Sequence, residues 1–339
     1  MGDALRTRVT PRPQVRQVVI GLVVALAVAV VVVLAIARLA GFAELGDAIE
    51  GARWQWLAAC AVGQGAVFTG YAAAFRGAVR FEGGPAVTRR RSFRVILASF
   101  GLTQLIAAGG AAGLAITYWA LRRLGFDRRP AVIRLIALNT AVYLVFALLA
   151  WWAAVLALAR GSAPHAMTIP WLVAVPVVVA LARWFTRQSR VERWTDGSGG
   201  RLRLALATGV AAAWWVRRAA AATDGRPVFL WAGGYWAGDL LSLWAALRAF
   251  GANPGVFAMA LAYCTGYLAQ AVPLPFIASG GIDAATTFAL TAVGVPVELA
   301  LLGVVTHRVF AFWLPIGPGL WSAVEFARED GEGEAVPIT

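Results

Sequence analysis

The chain has 339 residues, of which 60% are hydrophobic and only 14% charged, and its mean hydropathy is +0.72. A soluble domain carries about 25% charged residues, so this composition excludes an ordinary water-soluble protein and selects a polytopic membrane protein with segments that are apolar all round. The net charge of +13, with arginine as the sole basic residue type besides histidine, marks a cytoplasmic face rather than a nucleic-acid surface, and the Ala/Arg bias points to a GC-rich bacterial genome.

A basic arm, residues 1–16 with Arg6, Arg8, Arg12 and Arg16, precedes a first span at about 18–40. That apolar run is too long for a signal-peptide core and lacks a cleavage site, so it reads as a retained span. An acidic loop with Glu44, Asp47 and Glu50 leads to a second span at about 54–75, where Trp54 and Trp56 suit an interfacial belt. The loop that follows carries Arg76, Arg80, Arg89, Arg90, Arg91 and Arg94. The positive-inside rule therefore puts the N-terminus and this loop in the cytoplasm of a bacterial plasma membrane.

Residues 92–124 begin and end basic and are interrupted by "GGAAG" at 109–113. Charge balance predicts a helix in, a glycine break and a short helix back out, a re-entrant pair tolerated only where protein or a wet cavity covers the backbone. A span at about 131–158, an outer loop "RGSAPHAMTIP" and a span at about 171–185 follow. Residues 187–224 read as a cytoplasmic linker plus a helix over 201–222 lying on the inner leaflet, with a short tilted span as the alternative. A span at about 228–247 leads to a second irregular segment, 255–294, which contains "SGGIDAATT". The last span covers about 297–314, and the acidic tail, 321–339, is expected to be disordered and cytoplasmic.

The two irregular segments resemble each other. A shift of 169 residues puts Gly125 on Gly294, Ala131 on Ala300 and Tyr143 on Phe312, and a small gap puts "LTQ" at 102–104 on "LAQ" at 268–270. The first glycine turn, "RRLGFDRR", is strongly basic; the second, "TAVGVPVE", has no basic residue. Opposite orientation of the two copies accounts for that asymmetry. The expected fold is thus an all-α inverted-repeat bundle with two broken, re-entrant helix pairs, residues 17–320 forming one transmembrane domain.

"PLPFIASGGIDAATTFALTAVGVPVELALLGVVTHRVFAFWLPIGPG" resembles the C-terminal signature of the flippase-like transmembrane domain of lysylphosphatidylglycerol synthases. Pro273, Pro275, Gly280, Gly281, Gly294, Val295, Pro296, Arg308, Phe312, Trp313, Leu314 and Pro315 fit that pattern, and "GGAAGLAITYWALRRLGF" is similar to its first half. Asp283 stands where the family has Glu, and His307 where it has Tyr. The resemblance implies lipid translocation or lipid handling; the aminoacyltransferase domain of the synthases is not in this chain.

The candidate site is polar and intramembrane: Arg308, Asp283, Gly280, Gly281, Gln270, Gln104, Asn139 and Asp239. Ionisable groups at membrane depth cost ~2.5–3.5 kcal/mol on insertion scales and default to function. Asp283 either pairs with Arg308 or caps the helix that starts beside it. Arg308 is too deep to snorkel and suits a lipid phosphate, or a structural pair with Asp283 or Asp239. Asn139 occupies the matching position of the first copy. Gln104 and Gln270 precede the breaks and either line a cavity or satisfy freed backbone. Gly234 and Gly238 form a small-residue packing pattern.

His307 is a lone histidine and Cys60 and Cys264 lie far apart, so no metal, disulfide or other cofactor is expected. No nucleotide-binding fingerprint or paired catalytic set is present, so the chain reads as no enzyme. The sequence therefore predicts a membrane protein that moves an anionic phospholipid or polyprenyl-linked lipid between leaflets. The alternative is a non-transporting partner of a lipid-modifying or glycosyl-transferring enzyme, with homo-oligomerisation open.

Overall fold

The computed structural model describes residues 47, 49–105, 111–187, 200–271, 277–313, 315–319, 321 and 322. The first expected span, the basic arm, most of the tail, the Gly109–Gly110 pair of the first expected break and residues 272–276 lie outside them. The described residues are helical with no strand: α1 (Trp56–Arg80), α2 (Arg89–Leu105), α3 (Ala111–Arg123), α4 (Arg128–Ala159), α5 (His165–Phe185), α6 (Arg201–Ala221), α7 (Arg226–Ala249), α8 (Val256–Tyr267), α9 (Ile277–Ala292) and α10 (Val297–Arg308). A 3₁₀ turn, Leu268–Ala271, extends α8, and a π-helical turn, Val309–Trp313, extends α10. Helices α1, α4 and α5 and the segment Val297–Gly319 are long and apolar enough to cross a bilayer. The expected all-α membrane bundle is what the chain forms.

The closest helix pairing is between α1 and α7. Gly63, Gly70 and Gly77 recur every seventh residue along one face of α1. A Cβ on Gly63 would lie 2.6 Å from the carbonyl oxygen of Gly238, one on Gly70 2.7 Å from the backbone nitrogen of Tyr235, and one on Gly77 3.1 Å from Val228 Cγ2. The two helices thus run antiparallel with backbones touching, the use to which membrane proteins put small residues. Of the expected small-residue pair on α7, Gly238 makes this contact; Gly234 has only Trp231 within reach, at 3.9 Å.

Two turns built alike join α3 to α4 and α9 to α10. Gly125 and Gly294 both take φ +91°, a conformation that only glycine enters freely. Phe126 N donates to Leu121 O at 3.3 Å and Val295 N to Leu290 O at 3.1 Å, closing the helix ends, while Ala131 N to Asp127 O and Ala300 N to Pro296 O, both 2.9 Å, open the next helices. Every one of these positions is shifted by 169 residues.

Two expectations are corrected. Helix α5 begins at His165, inside the expected outer loop, with Pro170 and Pro176 in its interior; in a bundle, neighbouring helices tolerate the lost N–H. The glycines of "SGG" are not a break: Gly280 and Gly281 lie inside α9, which starts at Ile277. Helix α6, the segment expected along the inner leaflet, has a buried face. It packs along α4, burying Ala212, Trp215, Val216 and Ala219, and Arg217 Nη1 donates to Thr186 O at the end of α5 at 2.9 Å.

Glu82, in a turn at φ +64°, ties this end of the bundle together. It lies 2.6 Å from Arg218 Nη2 of α6 and 3.6 Å from Arg134 Nη2 of α4.

Candidate functional site

His307 and Arg308 are consecutive on α10, so their side chains leave the helix about 100° apart. They consequently meet different partners. Arg308 Nε donates to Asp283 Oδ2 of α9 at 3.0 Å, and its guanidinium lies 5.4 Å from the centre of the Phe312 ring. His307 faces α7: its Nε2 is 3.5 Å from Asp239 Oδ1 and its Nδ1 is 3.2 Å from Ser242 Oγ. The pairing of Arg308 with Asp283 matches one expected alternative. Asp239 instead belongs to His307.

Asp239 gathers donors from three helices. Gln64 Nε2 of α1 donates to its Oδ1 at 2.9 Å, the Tyr263 hydroxyl of α8 donates to its Oδ2, and His307 of α10 stands beside Oδ1. A buried carboxylate needs several such partners to offset its lost hydration. Asp283 is not a helix cap: it sits in the second turn of α9, and its carboxylate accepts from Arg308. The side chains of Arg308 and Asp283 are 23% and 19% exposed, against 13% and 11% for His307 and Asp239. The Arg308–Asp283 pair is thus the more exposed of the two, and the His307–Asp239 pair is packed in.

An aromatic chain runs from this cluster to Asn139. Tyr263 and His307 ring centres are 6.4 Å apart, Trp236 and Tyr263 6.4 Å, Tyr235 and Trp236 4.7 Å, and Tyr71 and Tyr235 5.5 Å. The Tyr71 hydroxyl then donates to Asn139 Oδ1 at 3.4 Å, and Asn139 Nδ2 donates to Leu135 O at 2.9 Å. Asn139 is thus linked to the cluster through intervening rings and touches none of its charged residues in the hydrogen bonds described. Gln104 closes the end of α2 and Gln270 lies in the 3₁₀ turn after α8; their side chains lie outside the described residues.

Gln64, Ser242 and Tyr263 were missed by sequence reasoning. Gln64 carries a usable signal, a polar amide within an otherwise apolar span. Tyr263 carries a weaker one, as one of six tyrosines, five of which (Tyr71, Tyr143, Tyr235, Tyr263 and Tyr267) meet in a single aromatic cluster.

Comparison with curated proteins found no match, and comparison with solved structures found none either. A family model does match, over residues 18–319: the lysylphosphatidylglycerol synthase TM region. With its apolar, membrane-length helices the chain is a lipid-related, multi-pass membrane protein, and it belongs to the lysylphosphatidylglycerol synthase TM region family.

Proposed function

We propose that the chain moves an anionic phospholipid or lipid-linked headgroup between the leaflets of a bacterial plasma membrane. The observation that carries the reading is the Arg308–Asp283 pair, an ion pair inside a lipid-related bundle that keeps partial exposure. A lipid phosphate competes with the Asp283 carboxylate for the guanidinium, which binds phosphates in a geometry lysine cannot copy. Asp283 holds Arg308 in place between passages. Gln104, Gln270, Gly280 and Gly281 lie next to the breaks, where a headgroup would cross. Asn139 and Asp239 extend the polar path.

In this reading the two units have opposite orientations, both termini are cytoplasmic and α6 lies toward the inner leaflet. The role is transport rather than catalysis, and a gradient or mass action supplies the work. Leaflet exchange of fluorescent anionic lipids in proteoliposomes tests it. Wild type should exchange and Arg308→Ala should not; absence of exchange with every anionic and polyprenyl lipid would sink the proposal. Cysteine labelling at Val295 and Phe126 tests the orientation, and labelling from the same side would refute opposed units.

The second reading, a non-transporting partner of a lipid-modifying enzyme, draws on Asp239, whose attachment to α1, α8 and α10 suits a static strut. It gains if exchange is absent while an enzyme co-purifies through the bundle.

A further inference from the structure

At the far end of the α1–α7 pair, where α1 finishes and α7 begins, lies a cleft of about 340 Å³. Its lining includes Arg76 and Arg80, one turn apart on α1, and Asp224 from the turn before α7. Gly77, Pro227 and Trp231 supply an apolar floor and wall. Among the described residues, none of the three charged side chains takes part in an ion pair. Arg76 Nε is also buried without a hydrogen-bond partner. Two guanidiniums and a carboxylate therefore face one cavity without neutralising one another, and a buried donor is left unsatisfied, a situation that calls for a ligand.

The position is that of a membrane–water boundary. The cleft is at the terminus of a spanning helix, and Trp231, 45% exposed on its flank, has the amphipathic character of an interfacial anchor. We propose that this cleft binds a phospholipid with a phosphoethanolamine headgroup. The phosphodiester takes the Arg76 and Arg80 guanidiniums through charge-assisted hydrogen bonds. The primary ammonium takes Asp224, with Trp231 alongside as a cation–π surface. The apolar wall receives the start of the acyl chains.

Asp224 sets the specificity. An anionic glycerol headgroup places no positive charge against the carboxylate and leaves it opposed to the lipid's own charge, whereas an ammonium pairs with it. A trimethylated ammonium carries charge but no N–H to donate. A second cleft of about 310 Å³ shows the contrast: Arg183, Arg187 and Arg217 line it beside Trp184, with no carboxylate among the described residues. The described lining thus has an aromatic face but no anion to pair with an ammonium.

Native mass spectrometry of the delipidated full-length chain tests this, with phosphatidylethanolamine, phosphatidylglycerol and phosphatidylcholine of identical acyl chains supplied in turn. Wild type should retain phosphatidylethanolamine severalfold over the other two. Asp224→Asn should reverse the order in favour of phosphatidylglycerol, and since the readout is a reversal, misfolding cannot imitate it. The double variant Arg76→Gln, Arg80→Gln should lose the preference. Equal retention of all three lipids by wild type, or an unchanged preference in Asp224→Asn, overturns the assignment. Displacement of the bound lipid by free phosphoethanolamine at equal concentration overturns its assignment to a lipid. This cleft is read by an Asp224-dependent lipid preference and translocation by an Arg308-dependent leaflet exchange, so the two readings fail separately.

Discussion

At the spacing of 169 residues, Leu114, Leu138 and Asn139 in the first helix–turn–helix unit stand where Asp283, His307 and Arg308 stand in the second. The backbones agree: α3 and α9 end, and α4 and α10 begin, at matching positions, around glycines with the same φ of +91°. The charges do not. Asn139 bonds Leu135 of its own helix and Tyr71 of α1, whereas Arg308 pairs with Asp283 inside its own unit and His307 reaches across to α7. A turn is dictated by backbone geometry, so both units keep it. An intramembrane charge must be paired, and at these positions only the second unit carries charges and their partners.

Asp239→Ala should break the second unit while sparing the first. It strands Gln64, Tyr263 and His307 together, and the loss should be about 3–5 kcal/mol, read as a lowered unfolding midpoint in detergent. Arg308→Ala should cost about 2–3 kcal/mol by leaving Asp283 alone. Making the second unit resemble the first, with Asp283→Leu and Arg308→Asn together, should recover part of that stability and none of the leaflet exchange. A double variant less stable than the two singles combined would show that the pair is not coupled as drawn. Gly125→Ala and Gly294→Ala should each cost about 1 kcal/mol, equally in the two units; a marked inequality in thermal melts would mean the turns are not equivalent. Smallest is Glu82→Gln, which touches neither unit's turn and should cost about 0.5–1 kcal/mol, more at low salt than at high.

The sequence made the spans at α1, α4, α5 and α10, the glycine turns and the Arg308–Asp283 pair legible, because each rests on local composition or on a short positional match. It misread the second glycine pair. "SGG" looks like an interruption, but glycine in an apolar helix costs only ~1 kcal/mol, and packing within the bundle carries α9 through it from Ile277. The partner of Asp239 was not legible either. Gln64 is 175 positions away, and which of His307 or Arg308 turns toward α7 depends on the rotation of α10 about its axis, a property of the assembled bundle. The seven-residue glycine series on α1 was hidden among 36 glycines; only its counterpart, Gly238, was singled out.

That series has a mechanical consequence. At Gly63 and Gly70 α1 meets the backbone of α7 directly, with no side chain between them there that could repack, so the pair keeps a fixed register at those points. Asp239 is fixed to it by Gln64 from within the pair and gripped by Tyr263 and His307 from outside it. A movement of α8 and α10 away from that pair would have to break the Tyr263 and His307 contacts of Asp239 while the Gln64 contact stayed in place, so Asp239 is where such a movement would be felt first.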